Sequence, residues 1–278
     1  MHQYRCGDHR RVSKKDMRVG FIGLGQMGGA MAGRIMASGY PLKVWARRAG
    51  SMAQLLSGGA AKAANIAELG ATCDYVGLCV LDDAAVAEVC DALIPAMRAG
   101  SLLAIHSTIA PESCEMLEAR CGERGILFVD APVDGSGPQA LAGELVVMCG
   151  GTEEAVAMAR PVLESFGRLV VHLGPVGAGQ RAKIICNAML AADLGLARAA
   201  MNLGDRFGLD RAQLHEVLIN GAAQSNGLSL FPSLTGPRPA PLHHKDTALM
   251  REAGNGNPHS ELIAQTAQHW LDAAKARV

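Results

Sequence analysis

The stretch Met17–Gly39, MRVGFIGLGQMGGAMAGRIMASG, decides the fold of this chain. An apolar run over Val19–Ile22 has the pattern of a buried strand, and apolar residues at helical spacing follow it. Between the two runs lies Gly23-x-Gly25-x-x-Gly28. Glycines at this spacing are common by chance, but between a strand and a helix they predict the phosphate-binding turn of a dinucleotide-binding unit.

Each glycine of this turn has its own physical reason. Gly23 allows the tight turn, Gly25 leaves no side chain between the backbone and a pyrophosphate, and Gly28 lets the helix pack closely on the strand. The helix N-terminus adds unpaired N–H groups and a positive dipole end. The alternative is a glycine-rich turn that binds nothing, which the strand–turn–helix context disfavours. The residues expected to contact the cofactor here are Gly23, Leu24, Gly25, Gln26, Met27 and Gly28.

The composition limits the partners and the compartment of the protein. Its 278 residues are 49% apolar and carry no formal net charge, which supports a large core and argues against a nucleic-acid partner. The eight cysteines form no C-x-x-C pair and mostly lie in apolar runs, as in a reduced, cytoplasmic protein. The sequence shows neither a signal-peptide core nor a continuous apolar span of eighteen residues, so no membrane partner is expected.

Two smaller features carry weaker expectations. Residues 1–16 are polar and basic and are expected to form a disordered extension. His243-His244 is the only tight histidine pair, and no ligand spacing typical of zinc accompanies it. We therefore expect no metal site.

Strand-like and helix-like segments alternate from Met17 to about Leu173. This alternation predicts a doubly wound, mostly parallel sheet, the Rossmann architecture, over residues 17–173. The predicted strands are Val19–Ile22, Leu42–Trp45, Tyr75–Val80, Leu102–His106, Leu127–Val129, Leu145–Cys149 and Leu169–His172. The predicted helices that follow the glycine turn include Ala84–Ala96, Glu112–Arg124 and Glu153–Phe166.

The pattern changes near Gly174, where we place a domain boundary. A long helix is predicted from about Ala178 to Phe207, and helices of this length commonly bridge two domains. Residues 174–278 are therefore expected to form an all-α domain for substrate binding and dimerisation. Its other predicted helices are Asp210–Asn220, Lys245–Ala253 and Pro258–Ala276, and the four prolines of Pro232–Pro241 predict irregular structure there.

The second strand indicates which nicotinamide cofactor is preferred. Units that bind NAD generally carry an acidic residue where this strand ends. Here the strand ends in Trp45-Ala46 and Arg47 and Arg48 follow, with no acid. Because a guanidinium suits a phosphate, this favours NADP over NAD; the alternative is that both arginines belong to an ordinary solvated turn.

Four motifs, in this order and spacing, identify a resemblance. They are the glycine turn, Asp130–Gly137 (DAPVDGSG), Gly177–Lys183 (GAGQRAK) with Asn187 beyond it, and Lys245-Asp246. Together they resemble the β-hydroxyacid dehydrogenase family, which includes 3-hydroxyisobutyrate dehydrogenase and tartronate semialdehyde reductase, with imine reductases more distant. The resemblance covers residues 17 to about 276.

Lys183 and Asn187 are the candidate catalytic residues. They stand at i and i+4 near the start of the long helix and so share one face, which we expect to meet the cleft between the domains. A partly desolvated lysine there could exchange a proton with the substrate oxygen, and the amide could hold that oxygen. The alternative is a solvated surface lysine. The resemblance implies that Lys183 is the catalytic lysine and Asn187 the substrate-orienting asparagine.

The resemblance implies further contacts. Lys245 matches a late lysine near cofactor and substrate and is expected to contact both. Asp246 follows it as in the family and is expected to contact the cofactor. Thr108 matches a cofactor contact. Val80 and Leu81 match the family's Leu-Pro pair after the fourth strand, with altered residues, and are also expected to contact the cofactor.

Asp134 departs from the family's pattern, which has a serine at this position. That serine and the glycine that follows, here Gly135, bind the substrate carboxylate in the family. An aspartate would repel a carboxylate, and it could instead pair with Lys183 or accept hydrogen bonds from hydroxyls or an ammonium. Alternatively Asp134 points aside and Ser136 takes its place. The sequence therefore leaves open whether the substrate is a simple carboxylate, and the short, proline-rich stretch 225–244 also leaves its size open.

These features predict an NADP-preferring oxidoreductase that transfers hydride between nicotinamide and a small aldehyde or ketone, or its alcohol. One alternative is imine reduction, although that branch usually replaces the lysine. Another is a catalytically inactive NADP-binding scaffold protein, which the presence of Lys183 disfavours. A homodimer or higher homo-oligomer is expected.

Overall fold

The computed structural model describes Lys14, residues 16–231 and residues 239–275. Cys6 and nearly all of the predicted N-terminal extension lie outside these described residues. The chain divides into two compact units, of which the first ends at Gly179 and the second begins at Gln180.

The N-terminal unit is built on one mixed sheet. Its strands run in the order β3-β2-β1-β4-β5-β6-β8-β7, with β9 paired to β8. The first six are parallel and have the order of a dinucleotide-binding Rossmann sheet, which confirms the predicted fold class. The strands are β1 (Val19–Ile22), β2 (Leu42–Trp45), β3 (Ala61–Lys62), β4 (Tyr75–Leu78), β5 (Leu102–Ile105), β6 (Leu127–Asp130), β7 (Val133–Asp134), β8 (Leu145–Gly151) and β9 (Gly167–Gly174).

The strand bounds differ little from the predicted ones. Each of the seven predicted strands is present with its ends shifted by at most two residues. The strands β3 and β7 were not predicted, because two-residue strands are too short to show a hydrophobic period. The sequence also gives no sign that β8 pairs antiparallel with both β6 and β7.

Helices cover both faces of this sheet. Along β1, Phe21 belongs to one buried apolar cluster and its neighbour Ile22 to the other, since successive strand residues point to opposite faces. The helices are α1 (Gln26–Ala37), α2 (Ala53–Ser57), α3 (Ile66–Thr72), α4 (Asp83–Leu93), α5 (Pro111–Gly122), α6 (Gly137–Ala142) and α7 (Glu153–Leu163), with 3₁₀ turns at Ala49–Met52 and Ile94–Ala96.

The C-terminal unit is all-α over its described residues, as predicted. Its helices are α8 (Ala178–Arg206), α9 (Arg211–Asn220), α10 (Asn226–Leu230), α11 (Pro239–Gly254) and α12 (Pro258–Lys275). The irregular segment predicted for Pro232–Pro241 is wrong at its end, because α11 begins at Pro239 and proline is tolerated in a first helical turn. Residues 232–238 lie outside the described part of the chain.

The division between the units falls inside α8. Gly177 donates its backbone N–H to Asp130 Oδ1 at 2.8 Å, and Gly179 packs against the same carboxylate. These contacts hold the start of α8 in the N-terminal unit. The predicted boundary at Gly174 is the last residue of β9.

The length and apolar composition of α8 would allow it to cross a membrane. One such helix is weak evidence, since core helices of soluble proteins share these features, and 44% of its most apolar window is buried within the protein. That no membrane partner exists stays a prediction.

Candidate cofactor and active site

Two glycines of the turn between β1 and α1 are required by the protein's own packing. Gly23 has a φ of +88°, and a Cβ there would overlap the carbonyl oxygen of Cys79 at the end of β4. A Cβ at Gly28 would overlap the carbonyl oxygen of Gly23. Glycine therefore lets the turn, the strand and the helix approach one another at these positions.

Gly25 is different, because nothing lies within 4 Å of where its Cβ would be. It is the exposed N-cap residue of α1, with an ordinary φ of −73°. No packing or backbone strain in the protein explains a glycine here. The open space beside a helix N-terminus fits the pyrophosphate of a dinucleotide, which needs close backbone approach and a positive dipole end.

A cavity of about 760 Å³ opens at this turn, within the size range of small-molecule sites. It brings together the predicted residues of three loops, those after β1, β2 and β4. These are Gly23, Leu24, Gly25, Gln26, Met27, Gly28, Arg47, Arg48, Val80 and Leu81. The cavity residues thus fit the group that the glycine turn implies.

The two arginines follow β2 directly. Arg47 and Arg48 are exposed and line the cavity, and no acidic residue stands at the end of this strand. Ser51, also a lining residue, donates its hydroxyl to the carbonyl oxygen of Arg48 at 2.7 Å. A local turn therefore positions Arg47 and Arg48, which form the basic corner of the cavity.

Sequence reasoning missed the part played by Ser107. Its buried hydroxyl accepts the backbone N–H of Val80 at 2.8 Å, which ties the loop after β4 to the loop after β5. Thr108, the predicted cofactor contact, is the next residue and is half-buried. It does not line the cavity at the glycine turn.

A buried histidine also escaped notice in the sequence. His106 Nδ1 lies 2.8 Å from the carbonyl oxygen of Ala131, which accepts only, so this nitrogen carries the proton. Its Nε2 therefore accepts from the Tyr75 hydroxyl, 3.2 Å away. Burial lowers the pKa of His106 to about 4, with the bond to Ala131 opposing the shift. A neutral imidazole thus joins the end of β5 to the residues that lead into β7.

The predicted substrate loop lies beside the glycine turn. Asp134 is half-buried at the end of β7, and Gly135 follows with a φ of +130°. Ser136 is the exposed N-cap residue of α6 and donates its hydroxyl to Gln139 Oε1 at 3.0 Å. A Cβ at Gly137 would stand 3.0 Å from the Gln26 side chain, which brings this loop next to the turn.

Asp130 anchors the start of α8. The carboxylate is fully buried and accepts the Gly177 N–H. Gly150 and Gly179 approach it so closely that a Cβ on either would collide with a carboxylate oxygen. A buried charge of this kind needs such partners, and the positive end of a helix supplies them. In the sequence Asp130 stands out only as part of the motif Asp130–Gly137, and its place under α8 was not predicted.

In the C-terminal unit, Lys183 and Asn187 stand one turn apart on α8. Lys183 is buried, with 8% of its surface exposed, so the solvated-lysine alternative is wrong. Asn187 donates Nδ2–H to Asp246 Oδ2 on α11 at 2.7 Å. Fifty-nine residues separate these two in sequence, and the structure brings them together.

Burial and nearby polar groups act in opposite directions on the carboxylate of Asp246. Burial raises its pKa above the ordinary value, while the charges of Lys245 and Lys183 and the bond from Asn187 oppose that shift. On the same helix, Nε2 of His244 and Oγ1 of Thr247 are buried with no hydrogen-bond partner among the described residues. Buried polar atoms are usually satisfied by protein, water or ligand, so this face of α11 has unused hydrogen-bonding capacity.

The Rossmann sheet, the glycine turn and the cavity define a dinucleotide-binding protein with a second, helical unit. Two family models match it. Residues 18–174 match the NAD binding domain of 6-phosphogluconate dehydrogenase, and residues 177–278 match the NAD-binding domain of NADP-dependent 3-hydroxyisobutyrate dehydrogenase.

Individual proteins agree with the family models. The NAD-dependent L-serine dehydrogenase of Pseudomonas aeruginosa is 34% identical over 90% of this chain and 89% of its own length. The structure of Mycobacterium tuberculosis 3-hydroxyisobutyrate dehydrogenase with L-serine has a TM-score of 0.82 and 26% identity, covering 93% of this chain and 95% of that one. The structure of Psf3 in complex with NADP+ and 2-OPP has a TM-score of 0.78 and 30% identity, covering 90% of this chain and 93% of that one.

The chain belongs to the β-hydroxyacid dehydrogenase family. It is an NAD(P)-dependent oxidoreductase that acts on the CH–OH group of a small molecule. An imine reductase from Pseudomonas sp., 17% identical with a TM-score of 0.66 over 93% of this chain and 92% of that one, shares the fold.

Proposed function

We propose that this enzyme prefers NADP and interconverts a small aldehyde or ketone with its alcohol, with Lys183 as general acid and base. The observation that carries the proposal is a buried lysine one helical turn from an asparagine whose amide is held by a buried carboxylate. When bound, the nicotinamide supplies or accepts the hydride. The protein binds and orients the substrate and moves the proton.

Lys183 carries the proton step. In reduction its Nζ donates a proton to the carbonyl oxygen, and in oxidation it removes the hydroxyl proton. Asn187 has a second Nδ2–H beyond the one given to Asp246, and this N–H holds the substrate oxygen. Polar donors fixed before the reaction stabilise a developing alkoxide without reorganising.

The test is NADPH oxidation over glyceraldehyde, glyoxylate, pyruvate and the cyclic imine 1-pyrroline. We expect turnover of a carbonyl compound and a loss of roughly 10²- to 10⁴-fold in kcat for Lys183→Ala. The matched control is Lys62→Ala, which removes an exposed lysine of β3 and should leave kcat unchanged. Near-wild-type turnover by Lys183→Ala would refute the assignment, and turnover of 1-pyrroline alone would favour the imine alternative.

The NADP preference rests on the basic corner of the cavity. Exposed Arg47 and Arg48 stand where an acid would otherwise bind the ribose of NAD, and a guanidinium can pair with a 2′-phosphate in bidentate geometry. The neighbour solved with NADP+ supports this choice, whereas the L-serine dehydrogenase is named NAD-dependent. Fluorescence titration should show tighter NADPH than NADH binding, with the difference lost in Arg47→Ala/Arg48→Ala. Equal affinities in the wild type would contradict the proposal.

Asp134 bears on the substrate class. Two like charges ~4 Å apart interact by about 4 kcal/mol at an effective dielectric of ~20, and solvent around a half-buried group reduces this further. We therefore propose that neutral substrates are preferred over carboxylates. Asp134→Ser should raise kcat/KM for 3-hydroxyisobutyrate and lower it for glyceraldehyde. A wild-type enzyme that prefers 3-hydroxyisobutyrate and is indifferent to Asp134→Ser would show that the aspartate does not face the substrate.

We further propose a homo-oligomeric, cytoplasmic enzyme. Large apolar side chains repeat along one exposed face of α8, at Ile185, Met189, Leu196 and Leu203. Such a stripe is typical of an association surface. Light scattering should give a mass of at least two chains, and a monomer at micromolar concentration would contradict this.

A further inference from the structure

The orientation of the Asn187 amide determines what this residue offers to a substrate. An asparagine amide presents a carbonyl oxygen on one side and an NH₂ group on the other. Its terminal torsion is broad and roughly two-fold, so the helix backbone by itself does not choose between the two orientations. A neighbour that only accepts, or only donates, makes the choice.

Asp246 is such a neighbour. Its carboxylate accepts Nδ2–H of Asn187 at 2.7 Å, a short distance typical of a charge-assisted bond. Because Asp246 is 7% exposed, little water competes for this bond. The carboxylate therefore holds the NH₂ side of Asn187 toward α11 and the Oδ1 side away from it.

We propose that Asp246 is a positioning residue that acts through Asn187, rather than the cofactor contact that the family resemblance implies. The inference deepens the proposed function and rests on it, since it assumes that Asn187 holds the substrate oxygen. It assigns the remaining Nδ2–H to the substrate and gives Asp246 the task of fixing its direction. Small errors in the direction of a catalytic group lower kcat more than they weaken substrate binding.

A charge effect on Lys183 has to be separated from this positioning effect, because the Lys183 charge also acts on Asp246. Asp246→Asn makes the separation. The new amide oxygen can still accept the Asn187 N–H, but the negative charge is gone. Asp246→Ala removes both the charge and the acceptor.

The experiment measures kcat, KM and the NADPH dissociation constant of the holoenzyme, with whichever of the four compounds in the screen gives the highest wild-type turnover. We expect Asp246→Ala to lower kcat roughly 10- to 100-fold, and Asp246→Asn to retain kcat within about threefold. NADPH affinity should stay within about twofold in both variants. The matched control is Asp272→Ala, which removes the acceptor of an exposed amide–carboxylate bond from Gln268 (2.6 Å) and should change nothing.

The double variant decides the mechanism. If Asp246 acts through Asn187, adding Asp246→Ala to the Asn187→Ala enzyme should lower kcat by less than about threefold further, because the group being positioned is already absent. An Asp246→Asn enzyme as slow as Asp246→Ala, a weakened NADPH affinity, or the same fold-loss in both backgrounds would overturn the inference. A fully active Asn187→Ala enzyme would instead refute the role that the proposed function gives to Asn187.

Discussion

Gly25→Ala and Gly28→Ala add the same methyl group at two positions of one turn. We expect Gly28→Ala to lower the stability of the free protein and Gly25→Ala to weaken cofactor binding instead. In Gly28→Ala the Cβ overlaps the backbone oxygen of Gly23, which cannot move as a side chain would. Overpacking of this kind costs about 1–3 kcal/mol, against roughly 1 kcal/mol gained in helix propensity. At about 2–4 °C per kcal/mol, we expect Tm to fall by up to about 8 °C.

In Gly25→Ala the free protein has room for the methyl group, since nothing lies within 4 Å of the Cβ position. Alanine is a poorer N-cap than glycine by a few tenths to about 1 kcal/mol, and the restricted unfolded chain offsets about 0.4–1 kcal/mol of this. Tm should therefore move by less than about 3 °C. The overpacking penalty of about 1–3 kcal/mol instead falls on the complex, which corresponds to roughly 5- to 150-fold weaker NADPH binding.

The assay pairs thermal unfolding without nucleotide with NADPH titration by fluorescence. Gly29→Ala is the control, because its Cβ would have its nearest neighbour at 3.8 Å and Gly29 does not line the cavity. It should keep both Tm and affinity, or gain slightly in Tm. A Gly25→Ala protein with wild-type NADPH affinity would show that the backbone at this turn does not approach the cofactor, and the reasoning from the open space would fail.

Two further predictions concern stability. His106 has a folded pKa of about 4 against 6.5 for the ordinary side chain, so the unfolded chain binds more protons between these values and stability falls as pH drops through this window. This pKa difference corresponds to roughly 3 kcal/mol of unfolding free energy, fully present above pH ~6.5 and absent below pH ~4. Urea unfolding of His106→Gln should lack this pH-dependent contribution. A pH profile of stability unchanged by the substitution would contradict the prediction. Gly179→Ala should lower the unfolding free energy by about 1–3 kcal/mol, because the Cβ would overlap the Met148 carbonyl oxygen and stand 2.8 Å from Asp130 Oδ2. The control is Gly122→Ala in α5, where nothing lies within 4 Å, and an equal effect of the two changes on the urea midpoint would argue against the clash.

Local patterns in the sequence carried most of the fold. The glycine spacing between an apolar strand and an apolar helix predicted the turn at Gly23–Gly28, and the alternation of periods predicted the parallel sheet up to β6. The spacing of apolar residues that marks a strand or a helix involves residues only a few positions apart, so it can be recognised in a single sequence. The exposed arginines after β2 were likewise readable, because they follow the strand within the same loop.

The sequence did not reveal partners that lie far apart along the chain. The antiparallel pairing of β8, the carboxylate of Asp130 under the start of α8, and the His106 bond to Ala131 all join separate elements. Each of these contacts depends on how whole strands and helices pack together. The local spacing of apolar residues does not indicate which elements will pack. The family resemblance named Lys183, Asn187 and Asp246 individually, but only the tertiary structure placed Asp246 against the Asn187 amide. It did so because α8 and α11 pack within one helical unit, where little water competes with the bond between the buried carboxylate and the neighbouring amide.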